Sequence, residues 1–252
     1  MSQPPLSKRR KLENNLTCTV SDSEAKLLSL SDDVLLLVLK NISSHDLLAV
    51  GETCTRLQRV GQDASLWKYP NFSKPLDLKS IKKCIKKLHN KTKSVQLEGY
   101  LLSKGKVTNL SEALLTDLGK TCENLQILKL QNCFIHGDQI QFEHFPKSIK
   151  LLSLKGCEID NLPGDKSYFK NIHKQLPLLE HLCLERCGWV KNHCLMAMCK
   201  LENLKVLNLR GCFKIGECFA YTALATRFEL RCVFKECNPH IFQVRVQQGR
   251  QV

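Results

Sequence analysis

The sequence predicts an α/β molecule: a small all-α unit of three helices, then a short right-handed solenoid, a horseshoe with a parallel sheet and outer helices. Three observations predict it. The first is a phrase that recurs four times in the second half. It reads Leu125-x-x-Leu128-x-Leu130-x-x-Cys133, Ile149-x-x-Leu152-x-Leu154-x-x-Cys157, Leu179-x-x-Leu182-x-Leu184-x-x-Cys187 and Leu204-x-x-Leu207-x-Leu209-x-x-Cys212. The cysteines stand 24, 30 and 25 residues apart. Self-similarity at such a period marks a stacked solenoid, and Leu-x-x-Leu-x-Leu-x-x-Asn/Cys is its leucine-rich form. The second is a stretch near the N-terminus with helical rather than repeat spacing. The third is composition: 43% hydrophobic residues but only 6% aromatic ones suit a leucine-filled stack better than an enzyme built around one cleft.

Residues 1–25 are rich in Ser, Asn, Pro and charge and read as a disordered basic tail. Lys8, Arg9, Arg10 and Lys11, beside prolines, resemble a nuclear-import signal. No apolar run approaches the roughly 18 residues of a membrane span, and no secretory leader is evident. The expected setting is therefore intracellular, nucleus and/or cytoplasm.

Between residues 30 and 69 three short helices are expected. Ser31 and Asp32 can cap the first, where Val34, Leu35, Val38, Leu39 and Ile42 share one broad face. Asn41 ends it. Ser43 or Ser44 can cap a second helix carrying Leu47, Leu48 and Val50. A third runs through Cys54 and Leu57 to Val60, and Asp63-Ala64-Ser65-Leu66-Trp67 closes the unit. So thin a core is marginal alone and gains from a partner.

This unit resembles an F-box. The residues that carry the resemblance are Leu30-x-Asp32-x-Val34-Leu35-x-x-Val38-Leu39-x-x-Ile42, then Asp46-Leu47-Leu48-x-Val50-x-x-x-Cys54-x-x-Leu57, and Leu66-Trp67. Ser31 stands where F-boxes usually have proline, a residue that pre-sets the backbone for helix entry. With the cysteine-containing repeats behind it, the chain is similar to the F-box/leucine-rich-repeat family over roughly residues 30–215. The resemblance makes residues 26–70 an F-box domain that docks the Skp adaptor and, through it, a cullin. The positions matching the adaptor-facing residues are Leu30, Ser31, Val38, Leu39, Leu47, Leu48, Val50 and Cys54. The implied function is that of a substrate-recognition subunit of a Skp–cullin–F-box ubiquitin ligase, non-catalytic, acting by proximity.

Residues 71–93 read as a basic amphipathic linker helix or the helix of a first repeat. Leu78, Ile81, Ile85 and Leu88 recur at helical spacing, opposite Lys79, Lys82, Lys83, Lys86, Lys87, Lys91 and Lys93. Residues 94–240 hold about five or six repeats. The last is degenerate, with Glu229 in the leading leucine position before Cys232, Phe234 and Cys237, and residues 241–252 form a tail. The long step between Cys157 and Cys187 places a protruding loop around residues 160–165.

In each repeat the leucines point inward and the alternate strand residues face the concave side. The candidate substrate-binding residues there are Lys129, Gln131, Ser153, Lys155, His181, Glu185, Asn208, Arg210 and Arg231. With a formal charge of +14, this face suits a protein substrate that is acidic or phosphorylated. No membrane partner is expected. Nucleic acid enters only under a second reading, a non-ligase repeat protein binding RNA or another polyanion through its basic surface. The 14 cysteines include no C-x-x-C pair, so no metal is expected, and the repeat cysteines are read as small buried groups. Neither a phosphate loop, nor H-E-x-x-H, nor G-x-S-x-G occurs. No cofactor is implied.

Overall fold

Three capped helices open the fold. The computed structural model describes residues 26–72, 78–99, 110–162 and 167–215. Helix α1 (Asp32–Leu39) starts at Ser31, whose hydroxyl accepts from Val34 N at 3.4 Å, and Asn41 Nδ2 donates to Leu37 O at 2.8 Å near its end. Ser43 caps α2 (Ser44–Gly51), accepting from Asp46 N at 3.1 Å. Ser44 is buried and accepts from Asn71 N at 2.9 Å. The thiol sulfur of Cys54 caps α3 (Thr55–Val60), accepting from Leu57 N at 3.5 Å. Leu35, Leu39, Leu47, Leu57, Val60 and Trp67 are buried between these helices.

The three-helix unit runs directly into the sheet. Strand β1 (Asn71–Phe72) lies one residue past the boundary expected at 70 and pairs in parallel with β2 (Ser94–Glu98), Phe72 opposite Leu97. Between them α4 (Leu78–Ile85) buries Ile81, Cys84 and Ile85, with Leu88 just beyond, and leaves Lys79, Lys82, Lys83 and Lys86 exposed. The repeats continue with α5 (Glu112–Thr121), β3 (Ile127–Gln131), β4 (Phe134–His136), β5 (Leu151–Ser153), β6 (Glu158–Asp160), α6 (Ile172–Gln175), β7 (His181–Cys183), α7 (Asn192–Met198) and β8 (Val206–Asn208). The main sheet is parallel, in the order β1-β2-β3-β5-β7-β8. Val95, Leu128, Leu152, Leu182 and Leu207 align across it without a register slip. All five are buried. Fully burying such a side chain stabilises by about 1.5–3 kcal/mol, so the stack of leucines dominates the energetics.

Each repeat cysteine sits at a fixed place. The residue just before it adopts a left-handed conformation in all four repeats: Asn132 (φ 52), Gly156 (φ 64), Arg186 (φ 61) and Gly211 (φ 73). The turn delivers the thiol under the preceding rung. Cys157 Sγ donates to Leu130 O at 3.3 Å, Cys187 Sγ to Leu154 O at 2.9 Å and Cys212 Sγ to Leu184 O at 2.9 Å. Burial pushes the Cys187 and Cys157 thiols well up from their ordinary value.

Two features lie outside the sequence reading. Strands β4 and β6 form a second parallel pair, Ile135 opposite Ile159, with His136 Nδ1 and Asp160 Oδ1 2.8 Å apart. An aromatic layer joins Phe142, Phe145, Tyr168, Phe169 and Trp189, with ring centroids 4.9 Å apart for Phe142–Tyr168 and 5.4 Å for Phe169–Trp189. Tyr168 donates to Ile140 O at 2.7 Å, and Trp189 Nε1 to Cys157 O at 2.9 Å. The outer face is thus built of short helices, a 3-10 turn (Phe142–His144) and aromatic packing rather than full outer helices throughout.

Candidate functional site

The first candidate surface lies on the three-helix unit. Ser31 holds φ −65, the value proline would fix, and supplies a side-chain cap as well. The chain segment ahead of it is held by Arg56. Its guanidinium donates to Leu28 O, to Leu30 O at 2.6 Å and to Asp32 Oδ1 at 2.8 and 3.0 Å. Arg59 adds a bond to Asp32 Oδ2 at 2.8 Å. The Arg56 bond, aided by both positive charges, holds the Asp32 carboxyl below its ordinary range. Entry to α1 is therefore fixed by a cap and an arginine clamp in place of a proline ring.

The eight sequence-picked residues divide by burial. Leu39 and Leu47, at 4% exposure each, belong to the chain's own core and do not offer a docking surface. Ser31 and Cys54 act as helix caps. Leu30, Leu48 and Val50 are half-buried, and Val38 is exposed at 41%. The sequence reading missed Leu37, the most open apolar side chain of α1 at 60%, and the outward position of Val34 at 40%. Val34, Leu37 and Val38 follow i, i+3, i+4 spacing and form one uncovered stripe.

The second candidate surface is the inner face of the sheet. Register places its residues in rows. Ile127, Leu151, His181 and Val206 form one row; Gln96, Lys129, Ser153, Cys183 and Asn208 form the next. Gln131, Lys155, Glu185 and Arg210 follow two positions further along their chains. Of the predicted residues, Lys129, Gln131, Lys155, His181, Glu185, Asn208 and Arg210 are half-buried on these rungs. Ser153 is only 6% exposed, and its hydroxyl accepts from Lys155 N at 3.4 Å. Lys155 Nζ lies 3.0 Å from Glu185 Oε1, which neutralises part of the positive face expected there. Asn208 is also occupied, accepting from Arg210 N at 3.0 Å. Arg231, the import-like cluster Lys8–Lys11, the degenerate last repeat and residues 163–166 of the insertion lie outside the described residues.

Among the described residues no group of three His, Cys, Asp or Glu is placed to hold a metal ion. None of their helices is long and apolar enough to cross a membrane.

The three-helix unit and the sheet together define a class: an F-box-like domain, matched by that family over residues 28–73, carried on an α/β leucine-rich-repeat solenoid. The relatives are of the same make. The chain is 27% identical over 202 residues to human F-box/LRR-repeat protein 12 and 26% identical over 197 residues to the mouse protein of that name. Each match covers 77% of this chain and 58% of the relative, so the chain spans well under two thirds of the curated relatives' length. By domain and by relatives the chain is thus similar to F-box/leucine-rich-repeat proteins.

Proposed function

We propose that this protein is a non-catalytic substrate adaptor of a Skp–cullin–F-box ubiquitin ligase, in which α1 and its neighbours dock an Skp-type adaptor while the repeats hold a protein target. The single observation that carries the reading is the uncovered stripe of Val34, Leu37 and Val38 on a helix inside the F-box-like match. A monomer gains nothing from three adjacent apolar side chains in water, whereas a partner helix or groove does. The expected site of action is intracellular, nucleus or cytoplasm.

The test is co-purification with an Skp adaptor. Leu37→Asp combined with Val38→Asp places two carboxylates in the stripe and leaves the core intact, so binding is expected to vanish while the circular dichroism spectrum stays unchanged. Undiminished binding by that double variant would refute the proposed docking face. Leu39→Asp is the contrasting control: it strikes the core and is expected to unfold the domain.

A further inference from the structure

Beyond this reading, we propose that the groove between α2–α3 and α4 binds an acidic peptide segment anchored by one apolar side chain. Residues 78–97 contain seven lysines, Lys79, Lys82, Lys83, Lys86, Lys87, Lys91 and Lys93, and no Asp or Glu. None of the seven forms an ion pair among the described residues. Three of them, Lys83, Lys86 and Lys87, form one bank of a groove of about 320 Å³. Leu48, Gly51 and Gly61 also line it, with a single carboxylate, Glu52, against the three cations in its charge balance. A Cβ at Gly51 would come no nearer than 3.8 Å to a neighbour, so the groove is open there because the residue is small, not because the fold forbids more.

Charge and shape select the occupant. The lysine bank calls for an anion. The volume, near the lower end of the roughly 300–1,000 Å³ of ligand pockets, admits a side chain or two and not a duplex. Single-stranded nucleic acid is held by lysines together with exposed aromatic platforms. The groove's aromatic side chain, Trp67, is only 1% exposed and its indole N–H is spent on Gly61 O at 2.8 Å. A peptide whose Asp and Glu meet Lys83, Lys86 and Lys87 while a Leu-sized group lies against Leu48 uses both the charge and the apolar side of the groove. Lysines, as mobile point charges, suit carboxylates without demanding one fixed geometry.

The test uses fluorescein-labelled peptides rich in Asp and Glu around one Leu, the same peptides with Ala in its place, and oligothymidylate of matching charge. The Leu peptide is expected to bind, about tenfold or more weakly to Lys83→Glu/Lys86→Glu, whose exposed side chains leave the fold intact. Its affinity for the Leu37→Asp/Val38→Asp variant is expected to be unchanged, which separates this site from the adaptor-docking face. Equal binding of the Ala peptide or of oligothymidylate overturns the proposal in favour of an unspecific basic patch, and no binding of the Leu peptide overturns it outright.

Discussion

Four equivalent positions ask for a left-handed backbone, and only two of them carry glycine. Asn132 tolerates it; Arg186, at φ 61, is strained there. Arg186→Gly is therefore expected to raise stability by about 0.5–1 kcal/mol, after the unfolded-state entropy of glycine is set against the relief. Chemical denaturation checks it. Gly156→Ala goes the other way, because its new Cβ would stand 2.4 Å from Asn132 Oδ1 on top of an unfavourable φ. Ser31 offers a finer comparison. Its φ already suits proline, so Ser31→Pro exchanges a cap worth about 1 kcal/mol for a less mobile unfolded chain worth about 0.4–1 kcal/mol. A melting point nearly unchanged is the expected result, and a large loss would show that the hydroxyl cap dominates. Asp32 carries the pH dependence of this corner. Its carboxyl is held down by Arg56 and Arg59, so its contribution is full above its ordinary pKa and is lost as pH falls through the lowered one. Asp32→Asn should flatten the loss of stability expected of the wild type below about pH 4, and chemical denaturation across that range checks it.

At the scale of elements, periodicity made some parts readable and hid others. A rung is a short phrase whose every leucine is buried, so the four repeats announce themselves, and the cysteines followed as their buried turns. The three helices were legible from caps and spacing. Which of their apolar residues face outward was not: α1 reads Asp-Asp-Val-Leu-Leu-Leu-Val-Leu, apolar on all sides, and only packing against α3 decides that Leu35 and Leu39 go in while Leu37 stays out. The β4–β6 pair was hidden because three-residue strands carry no period. The aromatic layer was hidden because Phe142, Tyr168 and Trp189 come from three different repeats with irregular outer segments. The inner face was overestimated in charge, since sequence lists Lys155 and Glu185 separately while the fold brings them together across adjacent rungs. The buried thiols give this scale its prediction. Burial pushes Cys84 and Cys122 up to about 11 and raises Cys157 and Cys187 well above their ordinary value too. A thiolate is the reactive form. Among the described cysteines of the native protein, iodoacetamide should therefore label the half-buried Cys54, Cys183 and Cys199 before the repeat cysteines, which it should reach only on unfolding. Early labelling of Cys157 would contradict the thiol ladder.

At the scale of the whole molecule, the F-box-like unit doubles as the solenoid's first rung. Phe72 pairs opposite Leu97, its ring stacks on Trp67 at 6.5 Å, Thr92 Oγ1 donates to Trp67 O at 2.8 Å and Lys93 N to Lys68 O at 2.8 Å. A terminal layer of a solenoid needs a cap, and here the helical domain supplies it. Phe72→Ala is expected to cost about 3–5 kcal/mol and to lower helices and repeats together in one transition. Two resolved transitions in calorimetry would show that the halves fold independently.

That shared rung has a genetic reading. If one half cannot stay folded without the other, a core substitution anywhere along the ladder removes partner docking and target holding at once, and behaves as simple loss of the gene product. Under the proposed function, an interfering form, one that occupies the ligase and delivers nothing, is expected from the inner face, from residues such as the half-buried Lys129 or Arg210. In the role proposed here, recessive and dominant changes would thus fall on different rows of the same strands.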